Sequence, residues 1–69
     1  MKLSPKEIKV LTLVAKGYVD KEIGIILKIS ERTVQTYLTR IMFKLNAKNR
    51  VNAAVLFFMK NPNLYYDKN

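Results

Sequence analysis

The sequence predicts an all-α domain, a four-helix bundle containing a helix-turn-helix. Three observations carry that expectation. Apolar residues recur at three- and four-residue spacing in successive segments, each early segment opens on a capping residue, and only a tight turn separates the second segment from the third. The 69 residues make one domain over 1–69, with a core unit over 3–60 and a tail over 61–69. A chain this short buries only about 60% of the surface its unfolded form exposes, so a disulfide, a metal or a partner subunit is the usual help. With no Cys and no His, a disulfide is excluded and a zinc site lacks its usual ligands, which leaves a partner subunit.

The first helix is announced by Ser4, Pro5 and Glu7. Ser caps free amides, Pro has no N–H to lose at the first helical position, and Glu7 completes a capping box. Ile8, Leu11, Val14 and Ala15 then fall on one stripe, widened by Val10 and Leu13, and Gly17 supplies a left-handed stop after Lys16. Asp20 is the expected cap of a short second helix, KEIGIILK, whose Ile23, Ile26 and Leu27 share a face. Gly24 in its interior costs about 0.5–1 kcal/mol relative to Ala, so it is either a tolerated weakness or a site of close approach by another helix.

Ser30 is the next cap, which leaves the spacing of a helix-turn-helix between the second helix and the third. On a helix of 100° per residue, residues 31–45 put Val34, Leu38, Ile41 and Leu45 on one narrow stripe with Met42 beside it. Arg32, Thr36, Thr39 and Phe43 point the other way, Gln35 and Arg40 lie on the shoulders, and Asn46 can take the left-handed conformation that closes the helix. The last helix, from about Lys48 to Lys60, is apolar over most of its circumference, so one face serves the core and the other needs cover. Asn61 and Pro62 stop it, and Leu64, Tyr65 and Tyr66 of the tail either fold back or stay loose.

Thirteen Lys and Arg against five Asp and Glu give a formal charge of +8 and a pI near 10.0, which points to a polyanionic partner. No apolar run approaches the ~20 residues needed to span a bilayer, and MKLSPKEIK lacks a signal-peptide core, so the expected location is cytoplasmic. The final helix is too short to span, although its flanking Arg50 and Lys60 would suit a membrane interface.

The third helix meets the requirements of a reader of double-stranded DNA. Such a helix needs short polar side chains facing the base edges, an apolar back, and cations at its margins for phosphates. Gln35 can bond adenine with two hydrogen bonds, while Thr36 and Thr39 can offer hydroxyls to a base edge or phosphate and methyls to thymine. Arg32, Arg40 and Lys44 can neutralise the backbone. From Lys28 to Lys60 seven residues are basic and one acidic, whereas an ordinary solvated helix face mixes both signs for i,i+4 pairing. Taken singly, Arg40 reads equally as a surface charge, and Tyr37 either points its hydroxyl at a phosphate or is a half-buried core residue. Phe43 fits least well, because an outward aromatic has no base to stack on inside a closed duplex, and it calls for the tail or a partner to cover it.

Four segments in order, LSPKEIKVLTLVAKGY, DKEIGIILKIS, ERTVQTYLTRIMFKL and NAKNRVNAAV, resemble the LuxR-type helix-turn-helix domains, also called LuxR, NarL and GerE effector domains, over about residues 3–59. That resemblance implies a bacterial transcription regulator domain whose third helix lies in the major groove and whose last helix pairs with its two-fold mate. By that similarity Gln35, Thr36 and Thr39 stand where the family reads bases. Lys21, Thr33, Tyr37, Lys44 and Arg50 stand at or near positions that touch phosphates or brace the turn. Asn52, Val55, Leu56 and Met59 stand where the family dimerises. The chain departs from the usual pattern with Gln35, Tyr37, Phe43 and Gly24, where relatives often carry a basic residue, His, a basic residue and Ala, so no base preference carries over. With Met1 directly before the first helix, the chain looks like a stand-alone regulator of the GerE kind.

The expected function is therefore sequence-specific regulation of transcription by a homodimer on an inverted-repeat operator, with RNA polymerase as a further candidate partner. A sigma-factor-like promoter module shares the LSPKE-type first helix and the turn. A protein-interaction or anti-regulator module would explain Phe43, the apolar last helix and the tail tyrosines. An enzyme is not expected, because Glu7, Asp20, Glu22 and Glu31 sit at helix starts where they serve dipoles and caps, and no Gly-rich phosphate loop occurs. No metal, cofactor, small-molecule ligand or membrane partner is expected.

Overall fold

A computed structural model describes residues 2–65, and every regular element among them is helical. The elements are α1 (Pro5–Ala15), α2 (Asp20–Leu27), α3 (Glu31–Leu45), α4 (Arg50–Lys60) and a short α5 (Pro62–Tyr65), one helix more than the sequence suggests. Packing of α1 on α3 and α4, and of α2 on α3, encloses a core of Val10, Leu11, Ile23, Val34, Leu38, Ile41, Ala53 and Ala54.

Local hydrogen bonds set the helix ends. Ser4 Oγ accepts from the Glu7 amide at 3.2 Å while Glu7 Oε1 accepts from the Ser4 amide at 2.8 Å, which completes the capping box. The cap of α2 differs from expectation: Val19 occupies the capping position, Glu22 Oε1 accepts the Val19 amide at 2.9 Å, and Asp20 is the first helical residue with its carboxylate turned to another helix. The start of α4 falls at Arg50 rather than Lys48, because Asn49 Oδ1 takes the Asn52 amide at 2.8 Å.

Three helices end in the same way. A left-handed residue follows the last turn at Gly17 (φ 99°), Lys28 (φ 60°) and Asn46 (φ 53°), and the next amide reaches back five residues to a carbonyl, Tyr18 to Leu13, Ile29 to Gly24 and Ala47 to Met42. Gly and Asn suit that conformation; Lys does not. Lys28→Gly is therefore expected to stabilise the fold by about 1 kcal/mol, read as a higher urea midpoint.

Gly24 is a site of close approach, and the approaching group is the turn. A Cβ at this position would lie 2.7 Å from the Ile29 carbonyl oxygen and 3.4 Å from the Glu31 nitrogen. The missing side chain lets the α2–α3 turn fold tightly against α2, which sets how α3 leaves it. Ile26, expected on the buried face with Ile23 and Leu27, is instead 47% exposed. One buried residue of α2 beside the glycine suffices to anchor so short a helix.

The tail folds back as far as it is described. Tyr65 on α5 meets the Phe58 ring edge-on at 5.5 Å, and Phe58 in turn meets Phe57 at 5.1 Å. Asn61 Nδ2 donates to the Phe57 carbonyl at 2.9 Å, which closes α4 before Pro62. Tyr66 and the rest of the tail lie outside the described residues. No helix among the described residues is long and apolar enough to cross a membrane.

Candidate nucleic-acid interface

The orientation of α3 follows from its buried stripe. Val34, Leu38 and Ile41 are anchored in the core, so the opposite face presents Arg32, Gln35, Thr36, Thr39, Arg40 and Phe43 to solvent. Ser30 fixes the leading end: its Oγ accepts the Thr33 amide at 3.0 Å and lies 2.8 Å from the Thr33 hydroxyl. Thr33 is half-buried and serves the turn in this way.

The threonines are oriented by their own helix. Thr36 Oγ1 donates to the Arg32 carbonyl at 3.1 Å, and Thr39 Oγ1 donates to the Gln35 carbonyl at 3.0 Å. Each hydroxyl proton is thus committed, and what faces outward is an oxygen with free lone pairs and a methyl group. Such a surface can accept from the exocyclic amine of adenine or cytosine and can touch a thymine methyl, whereas a phosphate would require a donor.

Donors lie beside it. The Arg40 guanidinium stands 5.9 Å from the centre of the Tyr37 ring, and Thr33, Thr36, Tyr37 and Arg40 border a shallow depression of about 170 Å³. Tyr37 is half-buried and packs against the core, one of the two readings left open for it, and it also borders this depression. Arg32 adds an exposed charge one turn earlier, and Lys21 another from the first turn of α2.

Two cations expected at phosphates are committed within the domain. Lys44 Nζ donates to Glu7 Oε1 at 2.8 Å and to the Lys2 carbonyl at 3.3 Å, which ties the end of α3 to α1 rather than presenting a free charge on the reading face. Arg50 forms a forked pair with Asp20, Nη1 to Oδ1 at 2.5 Å and Nη2 to Oδ2 at 3.2 Å, and so clamps the start of α4 to the start of α2. The Arg50 hydrogen bonds hold the Asp20 carboxyl below its usual range against the opposing effect of burial, with the guanidinium charge and the nearby Gln35 amide adding to them. The same pairing raises Arg50. Asp20 thus brings a site residue of α3, Gln35, into the neighbourhood of the clamp. Nothing in the local sequence announces this role, because its partner lies 30 residues away.

The outer face of α4 remains uncovered. Val51 (67% exposed), Val55 (48%) and Met59 (79%) recur every four residues, with Leu56 beside them, and Val51 extends the expected patch by one turn. Periodicity of four from Val55 and Met59 was the signal for it. Asn52 differs from its neighbours: it is half-buried, and its Oδ1 accepts the Lys48 amide at 2.9 Å. An apolar groove of about 330 Å³ adjoins the patch, bordered by Val14, Val51, Val55, Phe58 and Tyr65 among others.

Comparison with known proteins gives a family for the chain. Residues 1–57 match the GerE family model, described as bacterial regulatory proteins of the luxR family. The transcriptional regulatory protein LiaR of Bacillus subtilis is 43% identical over 53 residues, covering 77% of this chain and 25% of LiaR. The nitrate/nitrite response regulator protein NarP of Escherichia coli is 38% identical over 58 residues, 84% of this chain and 27% of NarP. The oxygen regulatory protein NreC of Staphylococcus carnosus is 48% identical over 48 residues, 70% of this chain and 22% of NreC. The chain thus spans about a quarter of the length of these relatives. No solved structure matches it significantly.

Proposed function

The chain belongs to the luxR family of bacterial regulatory proteins, regulators of transcription that bind DNA through a helix-turn-helix, and from that premise we propose that it reads an inverted-repeat operator as a homodimer. In this reading α3 enters the major groove, Gln35, Thr36 and Thr39 meet base edges, and Arg32, Thr33, Tyr37, Arg40 and Lys21 meet the backbone. Lys44 and Arg50 contribute chiefly by holding α3 and α4 in place. Val51, Val55, Leu56 and Met59 of one protomer cover those of its mate.

The observation that carries the proposal is the outward face of α3. From Arg32 to Phe43 it holds no acid, its polar atoms are short, and its two threonines are locked by their own backbone with acceptors and methyls outward. A face that only had to stay solvated would gain from mixed charge. This one is suited to close approach.

Selection of a random duplex library at one near-physiological salt concentration tests it. The expected result is an inverted repeat with half-site centres about one helical turn apart, and an unenriched library overturns the reading. On the selected site, Gln35→Ala, Thr36→Ala and Thr39→Ala are each expected to lose up to about 1–3 kcal/mol of discrimination at one base pair. Arg40→Ala should instead weaken all sequences alike and reduce the salt slope by about one phosphate's worth.

A further inference from the structure

We infer that Phe43 is a specificity-determining residue, reading the C5-methyl group of a thymine in each half-site. The inference rests on the proposed reading of DNA by α3 and adds to it a contact that neither charge nor hydrogen bonding supplies.

Phe43 is 76% exposed, although it lies on a helix whose opposite face is fully buried. The tail as far as it is described does not cover it: Tyr65 packs on Phe58. Along α3 it follows Thr36 by seven residues and Thr39 by four. At 1.5 Å and 100° per residue, that puts it about 10 Å along the axis from Thr36 and only about 20° away in direction, and about 6 Å and 40° from Thr39. Helical side chains also lean toward the N-terminus, so the ring extends over the turn that holds Thr39 and Arg40. Phe43 therefore continues the reading face rather than flanking it.

A phenyl ring has no hydrogen bond to offer a phosphate or a polar base edge, and in a closed duplex no base face is open to it. The one apolar group that the major groove displays is the thymine methyl. Contact with it would remove both surfaces from water, while Arg40, three residues earlier on α3, can neutralise the adjacent backbone and draw this end of the helix into the groove. A 5-methylcytosine carries the same methyl at the same place, so the ring should respond to it as well.

The test uses the full chain and the operator obtained by selection. Each thymine is replaced in turn by deoxyuridine, which removes only the methyl. At one position in each half-site the replacement is expected to weaken wild-type binding about four-fold, the factor that burial of one CH₂-sized group yields. Phe43→Ala should bind the thymine and deoxyuridine duplexes equally at that position and keep the wild-type response at all others. Placing cytosine there and then methylating it at C5 should restore affinity for wild type and not for Phe43→Ala. Because the ring is exposed, the variant should keep the wild-type urea midpoint.

A library that yields no operator fails the proposed DNA reading and this inference with it. An operator whose deoxyuridine responses are the same in wild type and Phe43→Ala overturns the inference alone, and it directs attention to a protein partner for the ring.

Discussion

Glu7→Ala is expected to destabilise the domain by about 3 kcal/mol, the lower end of what removing one partner of a buried ion pair costs. A chain of this length has a total stability of only about 3–10 kcal/mol, so the substitution removes from about a third to all of it. Glu7 is 3% exposed, and its Oε1 accepts from both the Ser4 amide and the Lys44 ammonium at 2.8 Å. Truncation removes a helix cap, a cross-link between α1 and α3, and the counter-charge of Lys44 at once. Glu7→Gln keeps an acceptor for Ser4 and should lose less. A double-mutant cycle with Lys44→Ala, read by urea denaturation, isolates the pair; additive single effects would show that the cap alone matters.

The same residue sets an acid limit. Burial by itself pushes the Glu7 carboxyl up, but the Lys44 and Ser4 hydrogen bonds and the Lys44 charge together hold it below its ordinary value of 4.5. A carboxyl whose folded pKa lies below its unfolded one binds protons more tightly when unfolded, so its stabilisation is complete above the unfolded value and is lost as pH falls through the folded one. Asp20, held below its ordinary 3.8 chiefly by Arg50, acts in the same sense. The urea midpoint should therefore change little with these groups near neutrality and fall below about pH 4.5, with a shallower fall in Glu7→Gln.

Val55→Asp is expected to leave the fold intact and to weaken binding to a two-half-site duplex by about a hundred- to ten-thousand-fold, the gain that linking two binding units normally provides. Val55 is half exposed at the centre of the α4 stripe, so the isolated domain tolerates a carboxylate there. In the proposed dimer the same carboxylate would face its two-fold copy in an apolar contact, with neither an opposite charge nor water to compensate. Sedimentation should show wild type as two protomers per operator and the variant as one. Binding to a single half-site should be nearly unchanged. A variant that still binds the inverted repeat as a tight dimer would remove α4 as the pairing surface.

The helix boundaries were legible wherever the controlling bond is short in sequence. Ser4 with Glu7, Ser30 with Thr33, and the left-handed Gly17 and Asn46 all act across three to five residues, and the span of α3 follows directly. Local signals mislead where a residue has two local options and a distant partner decides between them. Asp20 is as good a cap as Val19 is a poor one, yet Glu22 can cap from within the helix and Arg50 offers Asp20 a forked pair. Lys28 carries no turn signal at all, and in its left-handed conformation the Ile29 amide reaches the Gly24 carbonyl.

The sequence by itself determined the helices, the turn between α2 and α3 and the basic acid-free face of α3, because periodicity, caps and net composition are properties of neighbours along the chain; the family follows from the resemblance of four ordered segments. Tertiary structure alone decided which charges are free and which are spent. Lys44 and Arg50 look from the sequence like two more phosphate contacts, and folding gives each an acid more than 25 residues away. It also decided that Phe43 is exposed while Phe58 meets the Tyr65 ring. The physical reason is the same in each case: a charge or a ring acquires its meaning from what packing brings within a few ångströms, and that distance is set by the crossing of helices rather than by position in the chain.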